Sequence, residues 1–210
     1  MPAAGRAAFT GIYDRVMALT MREGVWRPAL THAVLESLKD GGVIVDLGCG
    51  TGTQSLALVR ERPDLQIIGI DGDPDAIAIA ARKPGAEMLD LRLGDARAVE
   101  LPDGSVDRML LVLVLHHLSG EGKRTVLSEA KRCLRADGQL HIVDWGSPAD
   151  PLSSAGFLAL QLLDGSSGTQ DHRTGRWHEL LAAVGLGEVQ IEQRVRTPFG
   201  WLEQLWVSGS

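Results

Sequence analysis

Cysteine is scarce in this 210-residue chain. Cys49 and Cys133 stand far apart and without metal-ligand spacing, which argues against a disulfide-stapled scaffold and against a metal centre, and fits reduced thiols. Long apolar runs are lacking as well. The longest, Met109 to Leu115, is far too short to span a bilayer. Positive charge is outweighed: the formal net charge is -6 and the pI near 5.5, which disfavours broad contact with nucleic acid or an anionic membrane. No apolar leader follows Met1, because Arg6 and polar residues soon interrupt, so a cytoplasmic location is expected. Internal repeats are absent, and the length suits one folding unit with a substantial core.

What the chain does have is a stretch from Val45 to Thr53, Val-Asp-Leu-Gly-Cys-Gly-Thr-Gly-Thr. An apolar run (Val43, Ile44, Val45, Leu47) breaks into glycines at alternate positions, and helical periodicity follows at once. That pattern reads as a buried strand turning sharply into a helix, with main chain open to a nucleotide-like ligand. A P-loop would close this turn with Lys-Ser/Thr, whereas Thr53 and Gln54 follow Gly52. A dinucleotide fingerprint would place its third glycine where Thr53 stands. Asp46, just before the turn, is a poor neighbour for phosphates but suits an ammonium or sulfonium group.

Further strand tips repeat the theme. Ile67 to Ile70 is a second apolar run ending in Asp71, followed by Gly72, an Asp73 N-cap and a first-turn Pro74. An acid at that tip can accept both hydroxyls of a ribose. Leu89 to Leu93 leads to Gly94-Asp95-Ala96, Met109 to Leu115 stops at His116-His117, and Leu140 to Trp145 ends on Asp144. Open parallel sheets bind ligands beyond their carboxyl ends, so these acids and histidines describe one polar crevice.

On the Asp46 to Gly52 motif and these tips the chain resembles the class I S-adenosylmethionine-dependent methyltransferases. From about residue 40 to 145 it is similar to the ubiquinone and menaquinone C-methyltransferase subgroup. The resemblance implies a doubly wound α/β fold: a mostly parallel seven-stranded sheet, an antiparallel C-terminal hairpin strand and an N-terminal helical cap. Residues 1–39 would form the cap and 40–210 the cofactor-binding domain. It also implies S-adenosylmethionine held by Asp46, Gly48, Cys49, Gly50, Thr51, Gly52, Asp71, Gly72, Asp95, Ala96 and Leu113, with Tyr13 over the methionine end. Asp95 would receive the adenine amine.

The acceptor half is less legible. His117 or His116 is a candidate base near the acceptor, or else supports the cofactor. Asp144, Trp145, Phe157, Leu160 and His172 are candidates to line the acceptor pocket, although Trp145 fits plain core equally well. Ser147 to Arg173, rich in Gly, Ser, Pro and Asp around an apolar patch, reads as a lid. Two N-terminal helices are expected to divide near Gly24 and Pro28, and Lys123, Arg124, Lys131, Arg132 and Arg135 read as a solvated helix face.

The expected activity is methyl transfer to oxygen, carbon or alkyl nitrogen of a small molecule, since an Asn/Asp-Pro-Pro-aromatic motif is replaced by Leu115-His116-His117-Leu118. Monomer and homodimer stay open. Two rival readings are a non-catalytic cofactor-binding partner protein and a nicotinamide oxidoreductase. The glycine spacing opposes the latter, as does Met17 where Tyr13 would need a lysine four residues on.

Overall fold

A computed structural model describes residues 20–164 and 166–209, without the side chains of 159, 160 and 162–167. Tyr13, about half of the expected cap and the Leu160 side chain therefore lie outside the described residues. The elements in chain order are α1 (Glu23–Leu35), β1 (Val43–Leu47), α2 (Thr53–Glu61), β2 (Gln66–Asp71), α3 (Pro74–Ala80), β3 (Asp90–Leu93), β4 (Val106–Val112), α4 (Gly120–Cys133) and β5 (Leu134–Trp145). They continue through α5 (Pro151–Asp164), α6 (Ser166–Arg173), α7 (Trp177–Ala183), β6 (Gln190–Thr197) and β7 (Gly200–Ser208).

Seven strands form one sheet in the order β3-β2-β1-β4-β5-β7-β6. The first five run parallel, and β7 lies antiparallel between β5 and β6. Alternation along the central strands sends side chains to two cores, as expected for a sheet covered on both faces. Val45, Ile68, Met109, Leu111 and Ile142 pack with Val126, Leu127 and Ala130 of α4 and Trp177 of α7. Ile44, Ile67, Leu110, Val143 and Trp145 pack with Trp26, Leu30 and Val34 of α1, Leu58 of α2 and Phe157 of α5. Strand order reverses between β1 and β4, which opens a crevice at their carboxyl ends.

Several boundaries differ from the sequence expectation. α1 runs through Gly24 and Pro28, and the break precedes it at Arg22, whose φ of 54° is left-handed. β4 ends at Val112, and Leu115–His117 is a 3-10 turn. β5 begins at Leu134, six residues before the apolar run that marks it, because its early part pairs with Val106 through a register shift. The segment read as a lid holds two helices, α5 and α6.

Candidate active site

The turn after β1 takes left-handed backbone at three positions, Gly48 (φ 73°), Gly50 (φ 54°) and Gly52 (φ 72°). Side chains rarely adopt that region, so the alternate glycines follow from the turn itself. Their surroundings differ. A Cβ on Gly48 would lie 2.5 Å from Val114 Cγ2, whereas one on Gly50 would meet nothing within 4 Å. Gly50 thus leaves open space against which a ligand can lie.

Asp71 ties this turn to β2. Its Oδ2 accepts from the Gly50 amide at 2.7 Å and its Oδ1 from the Asp73 amide at 2.8 Å. A carboxylate offers about four lone-pair sites, so two remain for ribose hydroxyls. The amides of Gly48 and Cys49 both donate to the Ile70 carbonyl, at 2.7 and 3.1 Å. The loop is braced from β2 and owes little of its shape to a ligand.

Asp46 is buried at the tip of β1. Ser55 Oγ donates to its Oδ2 at 2.6 Å, while its Oδ1 is buried without a hydrogen-bond partner among the described residues. Burial pushes its carboxyl up to about 6, with Asp71 acting the same way, against the Ser55 hydrogen bond and the Arg27 charge. An unmatched buried carboxylate oxygen calls for a cation or a donor. The ammonium or sulfonium of S-adenosylmethionine supplies positive charge, so the donor set fits that cofactor.

Arg27 of α1 was not foreseen. Its guanidinium holds Glu23 through Nε at 2.7 Å and donates to Gln54 Oε1 at 3.3 Å, and Gln54 Nε2 donates to Thr31 Oγ1 at 2.9 Å. This network fastens α1 to the start of α2 and sets one cation near Asp46. The 54–55 polar pair inside an otherwise apolar helix face was the available signal. Lys83 also reaches the turn, donating to Thr51 Oγ1 at 2.9 Å.

The other cofactor candidates are scattered by comparison. Asp95 is half-exposed and engaged by Arg97, whose Nη2 lies 2.7 Å from its Oδ2, holding the carboxyl below its usual range. Gly72 is exposed and Ala96 is partly buried against the α4-side core. Leu113 has left-handed backbone (φ 59°) and carries the chain from β4 to Val114, which packs on Gly48.

His116, Trp145 and His172 meet around Asp144, which is fully buried at the end of β5. Its Oδ2 accepts from the Leu115 amide at 2.8 Å and its Oδ1 from the Trp145 amide at 2.7 Å and the His116 ring Nδ1 at 2.8 Å. Burial alone would raise this carboxyl, but the His116 and His172 imidazoles and the hydrogen bonds hold it well below the usual carboxylate range. His172 is buried, with Nδ1 donating to the Trp145 carbonyl at 2.7 Å and lying 3.8 Å from Asp144 Oδ1. Its ring stacks on Trp177 at 5.2 Å, and burial lowers its pKa. His117 is exposed, its ring 3.9 Å from that of His116. Trp145 and Phe157 sit in the core, 1% exposed each.

Lys123 was read as part of a solvated face, yet its side chain is fully buried. Its Nζ donates to the Gly168 carbonyl at 2.6 Å and lies 3.3 Å from Asp171 Oδ2, fixing α6 to α4. The spacing from Lys123 to Val126, Leu127 and Ala130 places it on the apolar side of α4, a signal present in the sequence.

Comparison with known proteins agrees with this geometry. Residues 44–138 match the family described as methyltransferase domain. A demethylmenaquinone methyltransferase of Deinococcus radiodurans is 28% identical over 70% of this chain and 59% of its own length. A second enzyme of that name, from Thermus thermophilus, is 32% identical over 59% of this chain and 55% of its own. The chain thus spans less than two thirds of these relatives. The crystal structure of the YcgJ protein of Bacillus subtilis superposes with a TM-score of 0.65 and 24% identity, covering 80% of this chain and 70% of that one. Glycine turn, strand order and the family match over residues 44–138 converge on a methyltransferase domain.

Proposed function

We propose that this protein methylates a small molecule at oxygen, carbon or alkyl nitrogen with S-adenosylmethionine as the methyl donor. The observation that carries the reading is the interlock of Asp46, the Gly48 to Gly52 turn and Asp71 at two adjacent strand tips. The cofactor supplies a methyl group on a sulfonium, already activated toward displacement. The chain's own residues then chiefly bind, orient and exclude water. Asp46 takes the positive methionine end, Asp71 the ribose, and the open side of Gly50 the cofactor backbone. Asp95 serves the adenine amine once it leaves Arg97.

The acceptor enters from the side of α5 and α6, against Asp144, Trp145, Phe157 and His172, with His116 and His117 nearest the transferring methyl. The names of the two demethylmenaquinone relatives support an acceptor with an oxygenated ring. The acidic balance of the chain favours a small molecule over nucleic acid, and a cytoplasmic location suits that role. Residues 1–39 would cap the domain formed by 40–210.

Titration calorimetry with S-adenosylmethionine, S-adenosylhomocysteine and a nicotinamide dinucleotide tests the cofactor. The first two should bind and the third should not. Binding of the nicotinamide alone reverses the reading, and cofactor binding without methyl transfer to any acceptor favours a non-catalytic partner protein.

A further inference from the structure

A cavity of about 110 Å³ lies on the α1 side of the sheet, toward the amino ends of the parallel strands and away from the crevice at their carboxyl ends. Its walls include Glu36 just after α1, Arg108 on β4, Gln139 and His141 on β5, Glu192 on β6 and Trp206 on β7. Strand register sets these residues side by side. Arg108 pairs with Gln139 and His141 with Trp206, while Ile44, the β1 neighbour of Arg108, belongs to the core under α1.

Two nitrogens of this wall are left over. Arg108 is buried; its Nη1 donates to the Asp107 carbonyl at 2.9 Å and its Nη2 to the Glu36 carbonyl at 3.3 Å. Its Nε is buried without a hydrogen-bond partner among the described residues. His141 is buried as well. Its Nε2 donates to Gln139 Oε1 at 3.2 Å, which leaves Nδ1 as a lone-pair acceptor, also without a partner among the described residues. Burial, with the Arg108 charge behind it, pushes this imidazole down to about 3, so His141 is neutral at ordinary pH. One donor and one acceptor thus lack mates in the wall of an open space, and buried polar groups in that condition call for a partner.

Both signs of charge meet here. Arg108 brings a cation, and Glu36 and Glu192, exposed at the rim, bring carboxylates. Burial raises the Glu192 carboxyl and the nearby Glu36 charge adds to it, against a hydrogen bond from Gln204 and the His32 charge. A bare cation is repelled by the guanidinium and a bare anion by the two carboxylates. A molecule carrying both charges satisfies all four groups. Its carboxylate accepts from Arg108 Nε, while its ammonium donates to His141 Nδ1 and lies between Glu36 and Glu192. Size narrows the choice: at roughly 30 Å³ per water the space equals that of about three to four waters, which suits the smallest amino acids and excludes a large side chain.

We propose that this cavity is a binding site for a small free α-amino acid, glycine or alanine. The site is separate from the cofactor crevice, and the inference stands apart from the methyltransferase reading.

Nitrogen NMR of the full chain without cofactor tests it with five probes: glycine, alanine, acetate, methylammonium and phenylalanine. Glycine and alanine should saturate, compete with each other and shift the His141 Nδ1 and Trp206 Nε1 resonances. Acetate and methylammonium each supply one of the two charges and should bind at least about tenfold more weakly. Phenylalanine should leave both resonances in place. Arg108→Gln should weaken glycine by at least about tenfold through loss of the charged donor. Because Arg108 also holds the Glu36 carbonyl, Glu192→Gln gives a second reading at the exposed rim. It keeps an acceptor for Gln204, and should weaken glycine by at least about threefold with the thermal midpoint of wild type. If Arg108→Gln fails to fold, Glu192→Gln decides. Acetate or methylammonium binding as tightly as glycine would make this a simple ion site and overturn the proposal, as would binding of phenylalanine. Resonances unmoved by saturating glycine would mean ordered water only, and glycine affinity unchanged in either folded variant would place the ligand elsewhere; each result sinks the proposal.

Discussion

Asp46 is the residue whose chemistry is most altered by its position. Its carboxyl titrates near 6 because burial outweighs the Ser55 hydrogen bond and the Arg27 charge. A cation bound at Oδ1 favours the ionised form and lowers that value, so affinity for S-adenosylmethionine should rise with pH. The expected slope is about tenfold per pH unit below the free-protein value near 6, levelling off above it. Calorimetry in buffers of different ionisation enthalpy should also show proton release on binding at mildly acidic pH. A flat affinity profile across that range would remove Asp46 from the cofactor's charged end.

Asp71 teaches a different lesson at the same scale. Read from sequence, it is a strand-tip acid that accepts the hydroxyls of a ribose. In the structure it holds the amides of Gly50 and Asp73, so Asp71→Ala strips two donors of their acceptor. The variant should weaken cofactor binding by roughly 2 to 4 kcal/mol and also lower stability by about 1 to 3 kcal/mol. Urea unfolding of the unliganded protein separates the two effects: an unchanged midpoint would mean the brace contributes nothing. Strand tips were legible because acids and glycines there are chemically unusual. Partners such as Ser55, Arg27 and Gly50 N–H were not, since they come from elsewhere in the chain.

Among the elements, α6 is the one whose role sequence composition concealed. Its run of Ser, Gly, Thr and Gln reads as loop, and it is helical because tertiary contacts hold it: Lys123 on the Gly168 carbonyl, His172 on the Trp145 carbonyl. Helix propensity in so short a segment is weak against such anchors. Gly168 marks where α6 meets the 3-10 turn. Gly168→Ala would drive a methyl into the His116 carbonyl and should destabilise the protein by about 1 to 3 kcal/mol, with a lower thermal midpoint. A midpoint equal to wild type would show that α6 can move off the turn at no cost. By contrast, β1, β2 and β4 were legible from their apolar runs, and α3 from Asp73-Pro74 at its start.

At the scale of the whole molecule, ligand binding should report on a single cooperative unit. A ligand at one hundred times its dissociation constant adds about 2.7 kcal/mol to unfolding. For a domain of this size that corresponds to a rise of roughly 5 to 11 °C in the thermal midpoint. S-adenosylhomocysteine should produce such a shift in one transition; two transitions, only one of them shifted, would divide the sheet into independent parts. Topology was legible at this scale because helix and strand periodicities alternate from Asp46 to Trp145, and because two late strands flank the Thr197 to Gly200 turn. The exact sequence positions of strand ends were not, since β5 extends as far as its neighbours allow.

The place of β7 in the sheet has a consequence for biosynthesis. It is the last strand in chain order, yet it lies between β5 and β6 and pairs with both. Until it emerges from the ribosome, β5 offers an unpaired edge and apolar side chains such as Ile142 and Val143 stay uncovered on that flank. The nascent chain can therefore complete its cofactor-binding half early but must wait for its final strand to close the sheet, a window in which chaperones or edge-to-edge association compete with folding.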